Sequence, residues 1–277
     1  MRRAGVMGWP VRHSLSPALH GYWLKQYGID GTYEHIEVLP DDFAARIRRL
    51  ADDGYAGANV TVPHKEAALQ AADTVDDVAR RIGAVNTIVV AAGGRLAGSN
   101  TDAFGFIENL RAGAPGWDAS AGPAVVLGAG GAARAVVAAL ADAGTPEIRL
   151  LNRTRDRAEV LVRDLCGPVA VMDWDRRADA VAEASLLVNT TTLGMTGKDP
   201  LDMNLTRLPV SALVNDIVYA PVETPLLAAA RARGNPLVDG LGMLLHQARP
   251  GFAAWFGQEP EVTQGLRDHL LAKIRGG

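Results

Sequence analysis

Two spacings of apolar residues recur along this chain. Short runs rich in valine, isoleucine and alanine predict buried strands, and stretches with an apolar residue every third or fourth position predict helices. In the first third of the chain, the predicted strands lie near 4–9, 33–38, 56–62 and 85–90, and the predicted helices near 17–28, 41–53, 64–71 and 75–82. Phe43, Ile47 and Leu50 keep the helical spacing, and Gly54 can end that helix. Strands that alternate with helices indicate a parallel α/β layer.

The alternation pauses and then begins again. Residues 91–95 are typical of a hairpin turn, a helix is predicted near 103–112, and residues 113–116 resemble a linker. Further strands are predicted at 124–127 and near 147–152, 168–172, 185–190, 212–218 and 236–239, with helices near 131–143, 155–165 and 224–233. The final stretch, 240–275, is predicted to be helical and to add no strand, so it can pack back on the first domain.

Composition and charge narrow the function classes. The chain has 277 residues, 48% hydrophobic and 21% charged, which is an ordinary globular profile and long enough for two domains. A net charge of −3 gives no field that attracts nucleic acid or anionic lipid. One cysteine and six widely spaced histidines give no disulfide framework and no metal-ligand spacing. No signal peptide and no run of about 20 apolar residues is evident, so we expect a cytoplasmic protein without a membrane partner.

A strand that ends in polar residues lies at 59–65. Asn59 and Thr61 point to one face of that strand, and the intervening valines point to the other. Pro63 has no backbone N–H and ends the ladder, so Lys65 begins the element that follows. This arrangement aims an amide, a hydroxyl and an ammonium at one small polar molecule. An ordinary edge strand followed by a solvated lysine gives the same local pattern.

A glycine-rich turn indicates a dinucleotide site. Gly128, Gly130 and Ala133 fit the pattern G-x-G-x-x-(G/A), directly after a predicted strand and at the start of a predicted helix. Gly128 permits the tight turn, Gly130 lets a pyrophosphate approach the backbone, and Ala133 is small enough for close helix–strand packing. The helix N-terminus then stabilises the phosphate charge. A glycine-rich turn without a ligand is the alternative interpretation.

The end of the next predicted strand indicates which dinucleotide binds. An NAD site carries Asp or Glu there, whereas this chain has Asn152, Arg153 and Thr154, followed by Arg155 and Arg157. Arg153 can stack on adenine and bind a 2′-phosphate, and Arg157, about one turn into the helix, can complete the clamp. A solvated basic helix start is the alternative, although it opposes the helix dipole. The residues therefore favour NADP.

Taken in order, these motifs resemble the shikimate dehydrogenase family, NADP-dependent enzymes of aromatic amino-acid biosynthesis. The resemblance covers nearly the whole chain and rests on motifs that are individually common but specific in their order and spacing. They are Ser14–Pro17, Asn59–Lys65, Gly83–Thr87, Asn100–Asp102, Gly128–Ala133, Asn152–Thr154, Asn189–Thr191, Asp216 with Tyr219–Pro221, and Gly240–Leu244 with Gln247.

The resemblance implies a role for each matching residue. The substrate carboxylate would be bound by Ser14 and Ser16, with Tyr219 closing on the same end. The ring hydroxyls would be held by Asn59, Thr61, Asn86 and Gln247. Lys65 and Asp102 would form the catalytic pair and also contact the substrate. Cofactor contacts would come from Gly128, Ala129, Gly130, Gly131, Ala132, Asn152, Arg153, Thr154, Arg157, Thr190, Ile217, Gly240 and Met243, the last near the nicotinamide.

Several of these residues have simpler local interpretations. Ser16 before Pro17 is a good N-cap and N1 pair, and Asp102 at a helix start can be an N-cap. Gln247 lies one turn after Met243 on the same helical face, where a surface glutamine is common. His64 departs from the aromatic residue that is common in the family. We interpret it as a packing residue, while a histidine beside Lys65 could also shift the proton affinity of that lysine.

The predicted fold is α/β with two domains and a cleft between them. Residues 1–101, completed by C-terminal helices at 240–277, would form a substrate domain with a mostly parallel sheet, and 102–239 a Rossmann-type NADP domain. The resemblance implies reversible hydride transfer between NADPH and the 3-keto group of 3-dehydroshikimate. A free lysine, with a pKa of about 10.4, suits a proton donor in reduction better than a base in oxidation, so Lys65 either carries the proton or stabilises the alkoxide.

Two alternatives stay open at this point. A relative acting on quinate or on an aminated analogue of shikimate would keep the same scaffold. A non-catalytic NADP-binding sensor would also keep the fold, but it could lose Lys65 or Asp102 without penalty, and both are present. The expected partner is a small-molecule substrate rather than nucleic acid, and the expected assembly is a monomer or a homodimer.

Overall fold

The computed structural model describes residues 1–276 and divides the chain into two units. Unit 1 contains residues 1–101 together with the chain from Gln247 onward, and unit 2 contains Asp102–His246. Each unit is built on its own six-stranded sheet. This confirms the predicted α/β class with two domains.

The sheet of unit 1 carries helices between most of its strands. The elements in chain order are β1 Arg2–Gly8, α1 Ser16–Gln26, β2 Gly31–Glu37, α2 Phe43–Arg48, β3 Tyr55–Val60, α3 Lys65–Ala71, β4 Thr74–Val75, α4 Asp77–Ile82, β5 Thr87–Val90 and β6 Leu96–Ser99. The strand order is β2-β1-β3-β5-β6-β4. β1 is parallel to β2 and β3, and β4 to β6, whereas β5 is antiparallel to both β3 and β6.

Unit 1 differs locally from the expectation. The hairpin turn at 91–95 leads into β6, a strand that the sequence pattern did not predict. The second helix is shorter than predicted: it ends at Arg48, and Gly54, with φ of +76°, closes a later turn instead of ending the helix. Phe43, Ile47 and Leu50 are nevertheless fully buried in the core, as their spacing predicted.

Unit 2 has a fully parallel sheet. Its elements are α5 Asp102–Gly113, β7 Ala124–Leu127, α6 Gly131–Asp142, β8 Ile148–Leu151, α7 Arg155–Leu165, β9 Val169–Met172, α8 Arg177–Ala180, β10 Leu186–Asn189, β11 Leu213–Asp216, α9 Pro225–Arg233 and β12 Leu237–Val238. The strand order β12-β11-β10-β7-β8-β9 is the Rossmann order, with the order reversing between β7 and β10. Ligands of such sheets bind at the carboxyl ends of the strands beside that reversal.

Two C-terminal helices complete the chain, α10 Leu241–Phe256 and α11 Gln264–Gly276. The later part of α10 packs in unit 1, where Phe252 and Trp255 are fully buried. The Trp255 indole N–H donates to the carbonyl of Ile88 in β5 at 2.9 Å. Within residues 1–276, no helix combines the length and the apolar character that crossing a bilayer requires.

Candidate active site

Polar residues gather at one edge of the unit 1 sheet. Asn59 lies near the end of β3 opposite Thr87 of β5, and β5 runs antiparallel to β3. Asn86, which precedes β5, therefore reaches the same edge as Thr61, which follows β3. Backbone hydrogen bonds fix this junction: Val60 N–H donates to the Asn86 carbonyl at 2.7 Å, and Thr61 N–H donates to the Met7 carbonyl at 2.9 Å. Sheet pairing thus brings together residues that are distant in sequence.

The Asn86 side chain is held by Thr87, the first residue of β5, and by Thr101, which follows β6. Its Oδ1 accepts from the backbone N–H of Thr101 at 2.9 Å and from the hydroxyl of Thr87 at 2.9 Å. Its Nδ2 lies 3.1 Å from the Thr101 hydroxyl. All three residues are buried. Thr87 and Thr101 were within recognised motifs but were not predicted as site residues, since only the pairing of β5 with β6 reveals their contact.

Asn59 is also buried, at 6% exposure, and its carboxamide is engaged inside the unit. The Asn59 Oδ1 accepts from the Tyr33 hydroxyl at 2.6 Å. Its Nδ2 donates to the Asn86 carbonyl at 3.2 Å and to the Thr87 hydroxyl at 3.1 Å. The side chain therefore links β2, β3 and the start of β5. Any contact that it makes with a ligand has to use the remaining lone pair of Oδ1.

The lysine of the strand-end motif begins helix α3. His64 immediately precedes that helix, and its backbone N–H donates to the Thr61 carbonyl at 2.9 Å. The His64 ring is buried, stacks on Phe43 with ring centroids 4.4 Å apart, and places Nε2 2.8 Å from the Val38 carbonyl. These contacts make His64 a packing residue. Lys65 is half-buried at the helix start.

The N-cap of α1 lies one residue before the predicted position at Ser16. Helix α1 begins at Ser16 itself, with Leu15 at the N-cap and Pro17 at the second helical position, so Ser16 is not the N-cap. The reason is that the Ser14 hydroxyl accepts from the Ser16 N–H at 3.3 Å, while the Leu19 N–H already bonds the Leu15 carbonyl. The two hydroxyls are 3.1 Å apart. Ser14 and Ser16 therefore form one hydroxyl pair at the helix start.

Gln247, the last predicted substrate residue in unit 1, lies half-buried in α10. The two predicted substrate residues in unit 2 are Asp102, the first residue of α5, and Tyr219, which follows β11. Because α5 already includes Asp102, this residue lies in the first turn of the helix and not before it.

The glycine turn of unit 2 leaves room for a ligand. Gly128 follows β7 with φ of +109°, and a Cβ there would lie 2.6 Å from the Thr190 hydroxyl oxygen. At Gly130 and Gly131, by contrast, a Cβ would meet nothing within 4 Å among the described residues. Ala133 is fully buried in the helix–strand contact. The turn thus packs closely against Thr190 and leaves open space in front of the α6 N-terminus. Such a space fits a bound pyrophosphate.

The basic residues after β8 divide into two groups. Arg155 is paired with Glu159 and with Asp173. For the side chains of Arg153 and Arg157, both exposed, we find neither a hydrogen bond nor an ion pair within residues 1–276. Arg153 and Arg157 are therefore the two guanidinium groups available to an anion, and a 2′-phosphate suits them.

Asn152 and Thr154 shape the loop that carries Arg153. The Asn152 Nδ2 donates to the Thr154 carbonyl at 2.7 Å, which leaves its Oδ1 able to accept a hydrogen bond. Thr154 occupies the N-cap position of α7 without a side-chain hydrogen bond to the helix. This loop supplies no carboxylate for the ribose at the end of β8.

A buried carboxylate lies at the carboxyl end of β11 in the unit 2 sheet. Asp216, at the end of β11, accepts from Asn189 Nδ2 at 3.0 Å, from Val218 N–H at 3.0 Å and from the Thr224 hydroxyl at 2.7 Å. Burial raises the pKa of this carboxyl, and the three hydrogen bonds lower it in part. These hydrogen bonds fix the loop after β11, which contains the predicted cofactor residue Ile217.

Thr190 contacts the glycine turn, and Gly240, directly before α10, lies against Ile217. The Thr190 hydroxyl donates to the Leu127 carbonyl at 2.7 Å, directly before Gly128. A Cβ at Gly240 would overlap the Ile217 carbonyl, so only glycine fits there. Met243 follows in the first turn of α10 and is buried. Among residues 1–276, no group of three or more histidine, cysteine or acidic side chains is placed to hold a metal ion.

Comparisons with known proteins identify the relatives of this chain. Residues 6–88 match the family model of the shikimate dehydrogenase substrate binding domain, and residues 116–195 match that of shikimate / quinate 5-dehydrogenase. The shikimate dehydrogenase (NADP(+)) of Paramagnetospirillum magneticum is 63% identical over 271 residues, which are 98% of each chain.

Solved structures are similar over the same length. Shikimate 5-dehydrogenase from Thermus thermophilus, in complex with NADP(H) and shikimate, has 37% identity and a TM-score of 0.86, covering 100% of this chain and 99% of that one. Quinate dehydrogenase from Corynebacterium glutamicum, in complex with NAD, has 31% identity and a TM-score of 0.90, covering 98% and 99%. The backbone is thus shared by proteins whose substrates and cofactors differ.

Proposed function

Because the chain belongs to the shikimate dehydrogenase family, we propose that it catalyses the reversible reduction of 3-dehydroshikimate to shikimate with NADPH. It is an oxidoreductase that acts on a CH–OH group and uses NADP, in the biosynthesis of aromatic amino acids. The observation that carries the proposal is the 63% identity over 98% of both chains with a shikimate dehydrogenase (NADP(+)).

The cofactor site follows from the residues of unit 2. NADP supplies or accepts the hydride when it is bound. The open backbone at Gly130 and Gly131 would hold the pyrophosphate at the α6 N-terminus. Arg153 and Arg157 would bind the 2′-phosphate, and Asn152 Oδ1 would accept from a ribose hydroxyl. Ala129, Ala132, Thr154, Thr190, Ile217, Gly240 and Met243 are the remaining proposed cofactor contacts.

The substrate site would use the polar edge of unit 1. Ser14 and Ser16 would donate to the carboxylate of the substrate, since two hydroxyls at a helix start suit an anion. Asn86 and Thr61 at the sheet edge would hold ring hydroxyls, together with Asn59 and Gln247. Tyr219 is proposed to contact the carboxylate end.

Proton transfer is assigned to Lys65 with Asp102. In reduction, the Lys65 ammonium would donate its proton to the oxygen that develops at the former keto carbon. In oxidation, the neutral Lys65 amine would take the proton of the substrate hydroxyl, and the ammonium formed in this way would stabilise the developing alkoxide as the hydride leaves. Asp102 would orient the ammonium and compensate its charge. Both directions need the Lys65 nitrogen held at one position, and the start of α3 fixes the backbone of this residue.

The experiment uses the purified chain with NADPH and 3-dehydroshikimate. We expect consumption of NADPH and formation of an equal amount of shikimate, identified by chromatography against authentic material. A Lys65→Met variant should form product far more slowly, and Lys25→Met, which removes an exposed lysine of α1 in the same unit, should behave as wild type. Absence of shikimate formation by the folded wild-type protein would overturn the proposal.

A second candidate is quinate oxidation with NAD. It is favoured by the similarity to the quinate dehydrogenase bound to NAD. The absence of a carboxylate in the loop directly after β8, residues 152–154, and the presence of Arg153 and Arg157 argue against NAD. A cytoplasmic location, a monomeric or homodimeric state and the lack of a nucleic-acid partner remain predictions from the sequence.

A further inference from the structure

A continuous set of hydroxyl and amide groups runs beneath the polar edge of unit 1. We call it the hydroxyl–amide chain, and it consists of Tyr33, Asn59, Thr87 and Asn86. The Tyr33 hydroxyl donates to Asn59 Oδ1 at 2.6 Å. Asn59 Nδ2 then donates to the Thr87 hydroxyl at 3.1 Å, which donates to Asn86 Oδ1 at 2.9 Å. All four residues are buried.

The hydrogen-bond partners within the hydroxyl–amide chain determine which group donates at each link. Asn59 Nδ2 also donates to the Asn86 carbonyl, an atom that can only accept, so the nitrogen of this amide must face β5. Its oxygen then faces Tyr33, and Tyr33 must be the donor. The Thr87 hydroxyl accepts a hydrogen bond from Asn59 Nδ2 and donates one to Asn86 Oδ1. The Asn86 Nδ2 is thereby left as the donor side of that carboxamide.

The Tyr33 ring is held rigidly. It stacks on the His20 ring, with centroids 3.9 Å apart and an interplanar angle of 6°. His20 is fully buried, and burial lowers its pKa to about 3, so it stays neutral near neutral pH. Neither ring nitrogen of His20 makes a hydrogen bond of ordinary geometry within residues 1–276, although the Asn59 carboxamide lies beside the ring. Burial also raises the pKa of Tyr33, which keeps its hydroxyl protonated as a donor.

We propose that Tyr33 is a positioning residue of the active site, which orients the Asn59 carboxamide and, through Thr87, the carboxamide of Asn86. The inference rests on the proposed function, because it requires a substrate whose ring hydroxyls contact these amides. Without the Tyr33 hydroxyl, a buried amide oxygen loses its donor, and the carboxamides lose their fixed orientation.

The first test compares Tyr33→Phe with Tyr55→Phe. The Tyr55 hydroxyl lies in the same unit and also donates at 2.6 Å, to Glu34, so it is a matched control outside the hydroxyl–amide chain. The assay measures kcat and KM for shikimate and for an analogue in which one ring hydroxyl is replaced by hydrogen.

We expect Tyr33→Phe to raise the KM for shikimate about tenfold and to lower the preference for shikimate over the analogue by a similar factor, the scale of one hydrogen bond. The KM for NADP should stay within about twofold. Tyr55→Phe should change none of these quantities. If Tyr33→Phe keeps the wild-type preference, or loses activity equally on both substrates, the hydroxyl is structural only and the inference is wrong.

A second variant tests the next link. Thr87→Val keeps the side-chain shape, removes the hydroxyl and should also reduce the preference for shikimate. In the double variant Tyr33→Phe/Thr87→Val the loss should be smaller than the product of the single losses, because both act on the same amides. Independent effects would contradict the coupling. If circular dichroism shows that Tyr33→Phe is unfolded, Thr87→Val decides alone. A folded wild-type protein that oxidises no shikimate would overturn the proposed function itself.

Discussion

Replacing Gly130 by alanine should separate dinucleotide binding from folding. Gly130 precedes α6 with φ of −88° and ψ of −174°, a conformation that alanine adopts without strain. A Cβ there would meet no heavy atom within 4 Å, apart from its chain neighbours, among the described residues. The new methyl group would therefore occupy open space in front of the helix N-terminus. A pyrophosphate bound at that N-terminus has to use the same space.

The expected magnitudes follow from these two facts. Gly→Ala at a compatible position stabilises a protein by about 0.4–1 kcal/mol through the unfolded chain, and losing glycine at a helix start costs a comparable amount. The free energy of unfolding should thus change by less than about 1 kcal/mol. For binding, displacing a phosphate from a backbone N–H loses a charge-assisted hydrogen bond of about 1.5–3 kcal/mol, which corresponds to a roughly 10- to 150-fold weaker Kd for NADP.

The assay is titration calorimetry with NADP, with thermal unfolding measured on the same samples. Gly116→Ala is the matched control, since Gly116 lies in the same unit, is exposed and is equally open at its Cβ. Gly128→Ala is the contrast, because it combines a positive φ with a close approach to Thr190 and should lower Tm. Wild-type affinity for NADP in Gly130→Ala would refute the reasoning. A loss of Tm as large as that in Gly128→Ala would show that the space is not open.

Three further predictions concern single side chains. Lys65→Met should lower kcat for shikimate oxidation by about 10²–10⁴ with a much smaller change in KM; more than about a tenth of wild-type turnover would contradict its catalytic role. Arg153→Ala should raise the KM for NADP by roughly 10- to 100-fold and leave that for NAD nearly unchanged, whereas Arg155→Ala, whose guanidinium is already paired, should affect neither selectively. His20 has a folded pKa of about 3 against 6.5 in the unfolded chain, so unfolded molecules bind the proton first as pH falls. The wild-type free energy of unfolding should therefore drop, relative to His20→Phe, by up to about 1.4 kcal/mol per pH unit below pH 6.5, and parallel pH profiles in chemical denaturation would refute this.

Sequence patterns predicted the elements whose signal is local and repeated. The buried strand before Gly128 and the helix after it carry their own apolar and glycine signals, so the dinucleotide turn was predictable. Strand β6, Leu96–Ser99, was not predicted, because alanine, glycine and serine give no strand pattern and its stability comes from pairing with β5. The cap at Ser16 was misplaced by one residue, because the helix already includes Ser16: the Leu19 N–H donates to the Leu15 carbonyl, and the Ser16 N–H donates to the Ser14 hydroxyl.

The site was predictable in its residue types but not in its support. Motif matches named Asn59 and Asn86, yet nothing local connects them with Tyr33 or His20. Their contacts depend on the register in which β1, β2, β3 and β5 pair, and this register is set by the whole sheet. Nothing in the local sequence marks Tyr33 of β2 as a site residue, and only the folded sheet shows its hydroxyl directed at the Asn59 carboxamide.

The most direct measurement is kcat/KM of the wild-type chain for shikimate and quinate, each with NADP and with NAD, under one set of conditions. The assignment predicts that shikimate with NADP is the best of the four pairs. It also predicts at least a roughly tenfold preference for NADP over NAD, the lower bound for one charge-assisted contact to the 2′-phosphate. A higher kcat/KM for quinate with NAD than for shikimate with NADP would contradict both the substrate and the cofactor assignment.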